Sequence, residues 1–376
     1  MMRISSNFDG GNIEIVEADT PENIQLRIRK DNQSDFYQWF YFKLETKAFT
    51  SHRLVINDLQ NSAYPDGWPD YQVVVSHDRE DWYRIPTKYE NGQLTFEITP
   101  DHDITYFAYF APYSYEQHLD LIAWAQSDYK CSSEHLGETI DGRDLTLLVV
   151  GEPAEGKKAI WVTARQHPGE TMAEWLVDGL LARLLDDEDG IARTLLDKAV
   201  FYVVPNMNPD GGARGHLRTN AAGVNLNREW QTPSVEKSPE VYYVLQKMQE
   251  TGVDMFLDVH GDEAIPYNFV AGCEGNPGYS DRLARLDASF IDALLLATPE
   301  FQNEVGYPKD EPGKANLTIA CNAVGEKFDC LSFTLEMPFK DNDNLPDPAY
   351  GWSPVRCKQL GEDVLVAMRS VVDQLR

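Results

Sequence analysis

The chain has 376 residues, 42% hydrophobic and 11% aromatic, which fills packed cores and excludes global disorder. Asp and Glu number 61 against 33 Lys and Arg, and the resulting charge of −28 repels phosphate backbones, so nucleic acid is excluded as a partner. No apolar run reaches the ~18 residues of a membrane span, so no membrane partner is expected.

Met1–Thr20 lacks the apolar segment of a secretory signal. Five cysteines, at 131, 273, 321, 330 and 357, form no CxxC pair and fit reduced thiols. Both features predict a cytoplasmic location.

The first third reads as strands. Ile24–Arg29, Trp39–Glu45, His52–Asn57, Tyr71–Ser76, Leu94–Ile98 and Ile104–Phe110 are short, β-branched or aromatic, and separated by turns such as Asn91-Gly92. This spacing predicts an all-β sandwich over residues 1–115. From 116 the texture changes. Glu116–Gln126 has helical spacing, and Cys131–Gly142 reads as a polar loop. Leu145–Val150, Ala159–Ala164, Ala199–Val204, Asp254–Val259 and Leu331–Leu335 read as buried strands. Met172–Leu185, Val235–Gly252, Ser280–Thr298 and Val355–Leu375 read as helices between or after them. The alternation predicts an α/β domain over 116–376, with a mixed, mostly parallel sheet and helices on both faces. The acidic run Asp186–Asp189 reads as a solvated loop tip.

Three histidines stand in an HxxE spacing, at 77, 135 and 167. Only His167 follows a buried strand, where open α/β sheets place their ligands; His77 and His135 read as structural. His260 closes a second strand. Two imidazoles and the carboxylate of Glu170, delivered by two strand ends, form the three-ligand set with an open fourth position that zinc hydrolases use. Glu336 closes a third buried strand, where a carboxylate is costly unless it is paired or useful; beside a zinc-bound water it would be the general base. Arg214, Arg218 and Arg228 fall within fifteen residues of an acidic chain. Arg228 with Asn227 offers a fork for a carboxylate, and an arginine near the metal offers oxyanion stabilisation.

HPGE at 167–170, NPDG at 208–211, NLNREW at 225–230, DVHGD at 258–262 and FTLEM at 333–337 occur in the order found in zinc carboxypeptidases of the funnelin class. The sandwich ending in FAYFAPYSY at 107–115 is similar to the cytosolic carboxypeptidase branch, in a short bacterial-type form. The resemblance implies one zinc per chain on His167, Glu170 and His260, with Glu336 as general acid/base. It implies that Asn227 and Arg228 grip the terminal carboxylate of a peptide or protein substrate, and that Arg218 polarises the scissile carbonyl. The chain departs from the family in carrying Asn225 where an aspartate supports a zinc histidine, and in lacking a tyrosine between Pro308 and Glu336; Tyr307 is the candidate left.

The branch often removes acidic residues, including side-chain glutamates. That needs a basic pocket, for which Lys309, Lys314 and Lys327 are the candidates. The alternative function is a zinc amidohydrolase for small N-acyl amino acids, which needs the same metal and carboxylate clamp. A binding module with a degenerate site would lack a ligand or the base, and the sequence carries them all.

Overall fold

The computed structural model describes residues 2–376. Ten strands come first: β1 (Arg3–Ser5), β2 (Glu14–Thr20), β3 (Asn23–Arg27), β4 (Tyr41–Glu45), β5 (His52–Ile56), β6 (Val73–Ser76), β7 (Tyr83–Ile85), β8 (Thr87–Glu90), β9 (Gln93–Ile98) and β10 (Ile104–Ala108). They form two five-stranded sheets, ordered β1-β4-β10-β6-β7 and β2-β3-β5-β9-β8. Leu54, Phe96, Phe42 and Phe107 are buried, and the last two stack at 5.0 Å. The expected all-β domain is therefore present. Strands β1, β2, β7 and β8 lie outside the sequence reading. Each sits at a sheet edge; β2 and β8 have no buried residue, with Ile15 and Val16 facing solvent, and β1 and β7 are only three residues long, too short to show an alternation.

Ser114 then caps α1 (Tyr115–Ala125) in a reciprocal capping box with Gln117. Residues 131–142 contain a strand, β11 (Cys131–Glu138), where a loop was expected. Its side chains are mostly exposed and polar because it is an edge strand, antiparallel to β12 (Asp144–Val150), and it carries a register shift at His135. The remaining elements are β13 (Lys158–Ala164), α2 (Met172–Leu184), α3 (Gly190–Lys198), β14 (Ala199–Val204), α4 (Pro209–Arg214), α5 (Pro239–Thr251), β15 (Met255–Asp262), β16 (Phe269–Ala271), α6 (Asp281–Ala297), α7 (Ala320–Phe328), β17 (Leu331–Pro338) and α8 (Pro354–Val371).

The seven-stranded sheet runs β11-β12-β14-β13-β15-β17-β16; β14, β13, β15 and β17 are mutually parallel and the outer pairings antiparallel. Alternate residues feed opposite faces. Ile160, Val162 and Leu257 pack with Leu176 and Leu180 of α2 and Leu360 and Val364 of α8, while Trp161 and Phe256 pack with Val244 and Met248 of α5 and Val324 of α7. The mixed, mostly parallel α/β architecture is as expected. The acidic run is more than a loop tip, because Asp189 caps α3 by accepting from the Ala192 N–H.

The two sheet systems share one buried apolar cluster. Arg84 from β7, buried, donates to the carbonyls of Phe339 at 2.7 Å and Gln72 at 2.8 Å, tying the sandwich to the segment after β17. All five cysteines are buried and unpaired. Among the described residues, no helix is long and apolar enough to cross a membrane.

Candidate active site

β13 ends at the centre of the sheet, and the chain must turn sharply to enter α2. Arg165 takes a left-handed φ of 59° there. Its Nε donates to the Pro168 carbonyl at 3.0 Å and its Nη1 to Glu174 at 2.7 Å, which pins the 167–170 turn from below. Gly169 is needed because a Cβ would stand 2.9 Å from the Leu217 carbonyl oxygen.

The turn sets Nδ1 of His167 2.7 Å from Oε1 of Glu170. β15 supplies His260, whose Nδ1 lies 2.8 Å from the other oxygen of Glu170. These three buried residues offer ligand atoms within 4.8 Å of one another. The remote nitrogens are already committed: Nε2 of His167 to Asn225 Oδ1 at 3.0 Å, and Nε2 of His260 to Asp258 Oδ2 at 2.7 Å. Asp258 also accepts from Thr163 at 2.7 Å and Gln166 at 2.5 Å. Both rings thus present Nδ1 to one point, with their tautomers set from behind. The Asn225 amide oxygen fills the supporting position for His167.

The donor set fits zinc, with two nitrogens and one carboxylate, all buried and oriented. Burial first, and the Arg218 charge second, push the His167 pKa down to about 4, so the ring is neutral as a ligand must be. Burial opposes ionisation of Glu170, but His167 and His260 outweigh it and hold the carboxyl well below its usual range. Burial likewise opposes a charged His260, but Asp258 and Glu170 on either side raise it.

Glu336 stands opposite His260 in the β15–β17 register. Its Oε2 is buried without a partner, and its Oε1 lies 3.1 Å from the Tyr307 hydroxyl, which is also 2.7 Å from Asp262. Burial first, then the Glu170 and Asp262 charges, raise Glu336 well above the usual carboxylate range. The Tyr307 hydroxyl thus stands between two carboxylates and can donate its one proton to either Asp262 or Glu336. Tyr307, a weak signal in the sequence, therefore touches the candidate base.

Arg218, Asn227 and Arg228 line the same funnel, a cavity of about 1010 Å³ that also holds His167, Glu170 and His260. Asn227 accepts from the Ala320 N–H at 2.8 Å, which fixes its amide against the start of α7. Arg228 donates back to the Asn227 carbonyl at 2.6 Å. Arg214 is elsewhere, paired bidentately with Asp141 at 2.7 and 2.8 Å. Of the three candidate pocket lysines only Lys309 lines the funnel, largely exposed and 3.1 Å from Glu274; Lys314 and Lys327 do not. His77 and His102 gather with Asp101 on the sandwich surface, but His77 Nε2 already takes the Tyr83 hydroxyl at 3.0 Å.

Sequence reasoning missed Asp31. This buried sandwich residue accepts the N–H groups of Leu217, Arg218 and Thr219 at 2.7, 2.8 and 2.9 Å, and the Thr219 hydroxyl at 3.1 Å. The Arg218 guanidinium lies over the rings of Phe36 and Tyr64, 5.6 and 5.4 Å from their centroids. A lone aspartate 187 positions from its partner gives no local sequence signal.

A family model for zinc carboxypeptidases matches residues 115–356, and one for the cytosolic carboxypeptidase N-terminal domain matches residues 4–110. The chain belongs to the zinc carboxypeptidase family. Within it, the paired N-terminal domain marks the cytosolic carboxypeptidase branch, and the enzyme class is a metallocarboxypeptidase hydrolase. A metallo-carboxypeptidase from Pseudomonas aeruginosa, in complex with (2-guanidinoethylmercapto)succinic acid, superposes with TM-score 0.96 at 48% identity, each chain fully covered. One from Burkholderia cenocepacia gives 0.97 at 46%, covering 99% of this chain and 100% of its own. Mouse cytosolic carboxypeptidase 6 is 32% identical over 70% of this chain, and the chain spans only 54% of that protein's length.

Proposed function

We propose that the chain releases C-terminal residues from peptides or proteins using one zinc ion per chain, held by Nδ1 of His167, Nδ1 of His260 and Glu170. The observation that carries this reading is the convergence of those three groups in one funnel with a buried, unpartnered oxygen of Glu336. When bound, zinc supplies a Lewis acid and an acidified water.

The remaining work falls to the chain's own side chains. Arg228 and the Asn227 amide grip the substrate's terminal carboxylate and hold the last peptide bond in the funnel. Arg218 is aimed at the oxygen of that bond, where negative charge develops. Glu336 accepts a proton from the attacking water at Oε2 and returns it to the leaving amine, while Tyr307 fixes Oε1. Residues 1–115, as one domain, wall the funnel with Tyr64 and set Arg218, and residues 116–376 carry the chemistry. An acidic or side-chain glutamyl substrate finds little support in the wall, where Lys309 is already paired with Glu274. The family match and the funnel's size favour peptides over small N-acyl amino acids.

The carboxylate grip has a direct test. Amidating the C-terminus of a good peptide substrate is expected to lower kcat/KM at least ~100-fold, because the clamp is left with a neutral group. Arg228→Ala should raise KM for the free acid more than it lowers kcat. Equal turnover of acid and amide, read by mass spectrometry, would exclude an exopeptidase.

A further inference from the structure

Among the described residues, one group of side chains outside the funnel gathers the donors of a metal site. His77, in the turn after β6, and Asp101 and His102, in the turn before β10, each offer a ligand atom within 4.8 Å of the other two. His77 Nε2 lies 3.6 Å from Asp101 Oδ1, and His102 Nδ1 lies 2.7 Å from that same oxygen. The two imidazoles stack, with their centroids 4.5 Å apart. The funnel shows the same kind of contact, two imidazoles closing on one carboxylate.

The hydrogen bonds around His77 show which nitrogen is free to bind. Its Nδ1 lies 3.3 Å from the Ile104 carbonyl oxygen. A carbonyl only accepts, so in the neutral ring Nδ1 carries the proton and Nε2, on the side of Asp101, keeps its lone pair. The Tyr83 hydroxyl, 3.0 Å from Nε2, therefore donates to that lone pair. A metal would take the place of the hydroxyl proton and release the hydroxyl to water. The Ile104 carbonyl thus serves His77 as Asp258 serves His260, by orienting the ring through its remote nitrogen. Arg79, the cation of the same turn, is held away, with Nε on the Tyr41 hydroxyl at 3.0 Å and its guanidinium over the Tyr106 ring. Asp78, Glu80 and Asp81 complete the turn, in a chain whose charge of −28 attracts cations.

We propose that His77, Asp101 and His102 form a second metal site, on the sandwich surface, for a divalent ion of the zinc and copper class. Two imidazoles and one carboxylate suit these ions, with water in the remaining positions. Binding displaces the proton that His102 Nδ1 shares with Asp101. The ion ties the turn after β6 to the turn before β10. It is additional to the zinc of the reaction, since none of the three residues lines the funnel. It is also the weaker of the two, because the side chains of Asp101 and His102 are 65% and 61% exposed and must be ordered on binding.

The test dialyses the full chain and its His102→Ala variant against the same buffered, low-micromolar zinc and reads zinc per chain by plasma mass spectrometry. The variant loses an exposed imidazole and keeps every funnel residue, so its peptidase kcat should equal that of the wild type. The expected result is about one zinc per chain fewer in the variant. Equal zinc content in the two overturns the site, because ions scattered over an acidic surface do not depend on His102. Anomalous scattering from wild-type crystals soaked in excess zinc gives a second reading that needs no variant. A peak between His77 and His102, weaker than that of the funnel, is expected, and its absence overturns the site.

Discussion

Glu336→Gln is expected to lower kcat by ~10²- to 10⁴-fold, the usual range for removing a general base, with KM and zinc content close to wild type. The substitution keeps the side chain's size and leaves an oxygen to accept from Tyr307. It removes only the capacity of the buried, unpartnered Oε2 to take a proton. The ligands His167, Glu170 and His260 are held by Asn225, Asp258 and the 165–170 turn, none of which involves Glu336. Steady-state kinetics on folded, zinc-loaded variant check this, and a kcat within a few-fold of wild type would remove Glu336 from the chemistry.

Asp31→Ala is expected to cost about 3–5 kcal/mol of stability, because it strands three backbone N–H groups and one hydroxyl, most of them buried, in a single step. The effect should exceed stability alone. Those N–H groups belong to the segment that carries Arg218, so the folded fraction should also lose kcat, with KM changed less. Asp31→Asn keeps one oxygen, which can stay on the Arg218 and Thr219 donors, and should recover most of both losses. Denaturant titration with kinetics on the same preparations separates the two. A variant that loses stability but keeps its kcat would make Asp31 a purely structural tie.

The reach of the sequence follows from the range over which each feature is encoded. His260 and Glu336 were legible because each lies toward the carboxyl end of a buried strand, and His167 and Glu170 because they fall in the turn that follows one; a run such as Leu331–Leu335 announces itself by its own apolarity. The central sheet was legible for the same reason. β11 was not, since an edge strand with exposed Ser132, Ser133 and His135 has the composition of a loop. Short α7 is only nine residues, too few to show a helical period, yet its first N–H fixes Asn227. Tyr307 was only a weak candidate and Asp31 was beyond reach because their partners lie far along the chain: Tyr307 meets Glu336 across 29 positions, and Asp31 meets Arg218 across 187. Their roles follow from topology, which single-residue patterns do not carry.

The sandwich also gains a more specific role than that of a folding partner. Phe36 and Tyr64 cradle the Arg218 guanidinium, and Asp31 holds its backbone, so an arginine aimed into the funnel is built largely from the other sheet system.

The central claim is that two imidazoles and one carboxylate converge on a single zinc. Anomalous X-ray scattering on either side of the zinc absorption edge, from crystals of zinc-loaded protein, tests it most directly. The account predicts one strong peak per chain, bonded to Nδ1 of His167, Nδ1 of His260 and Glu170. No peak there, or the principal peak at His77 and His102 on the sandwich, would contradict it.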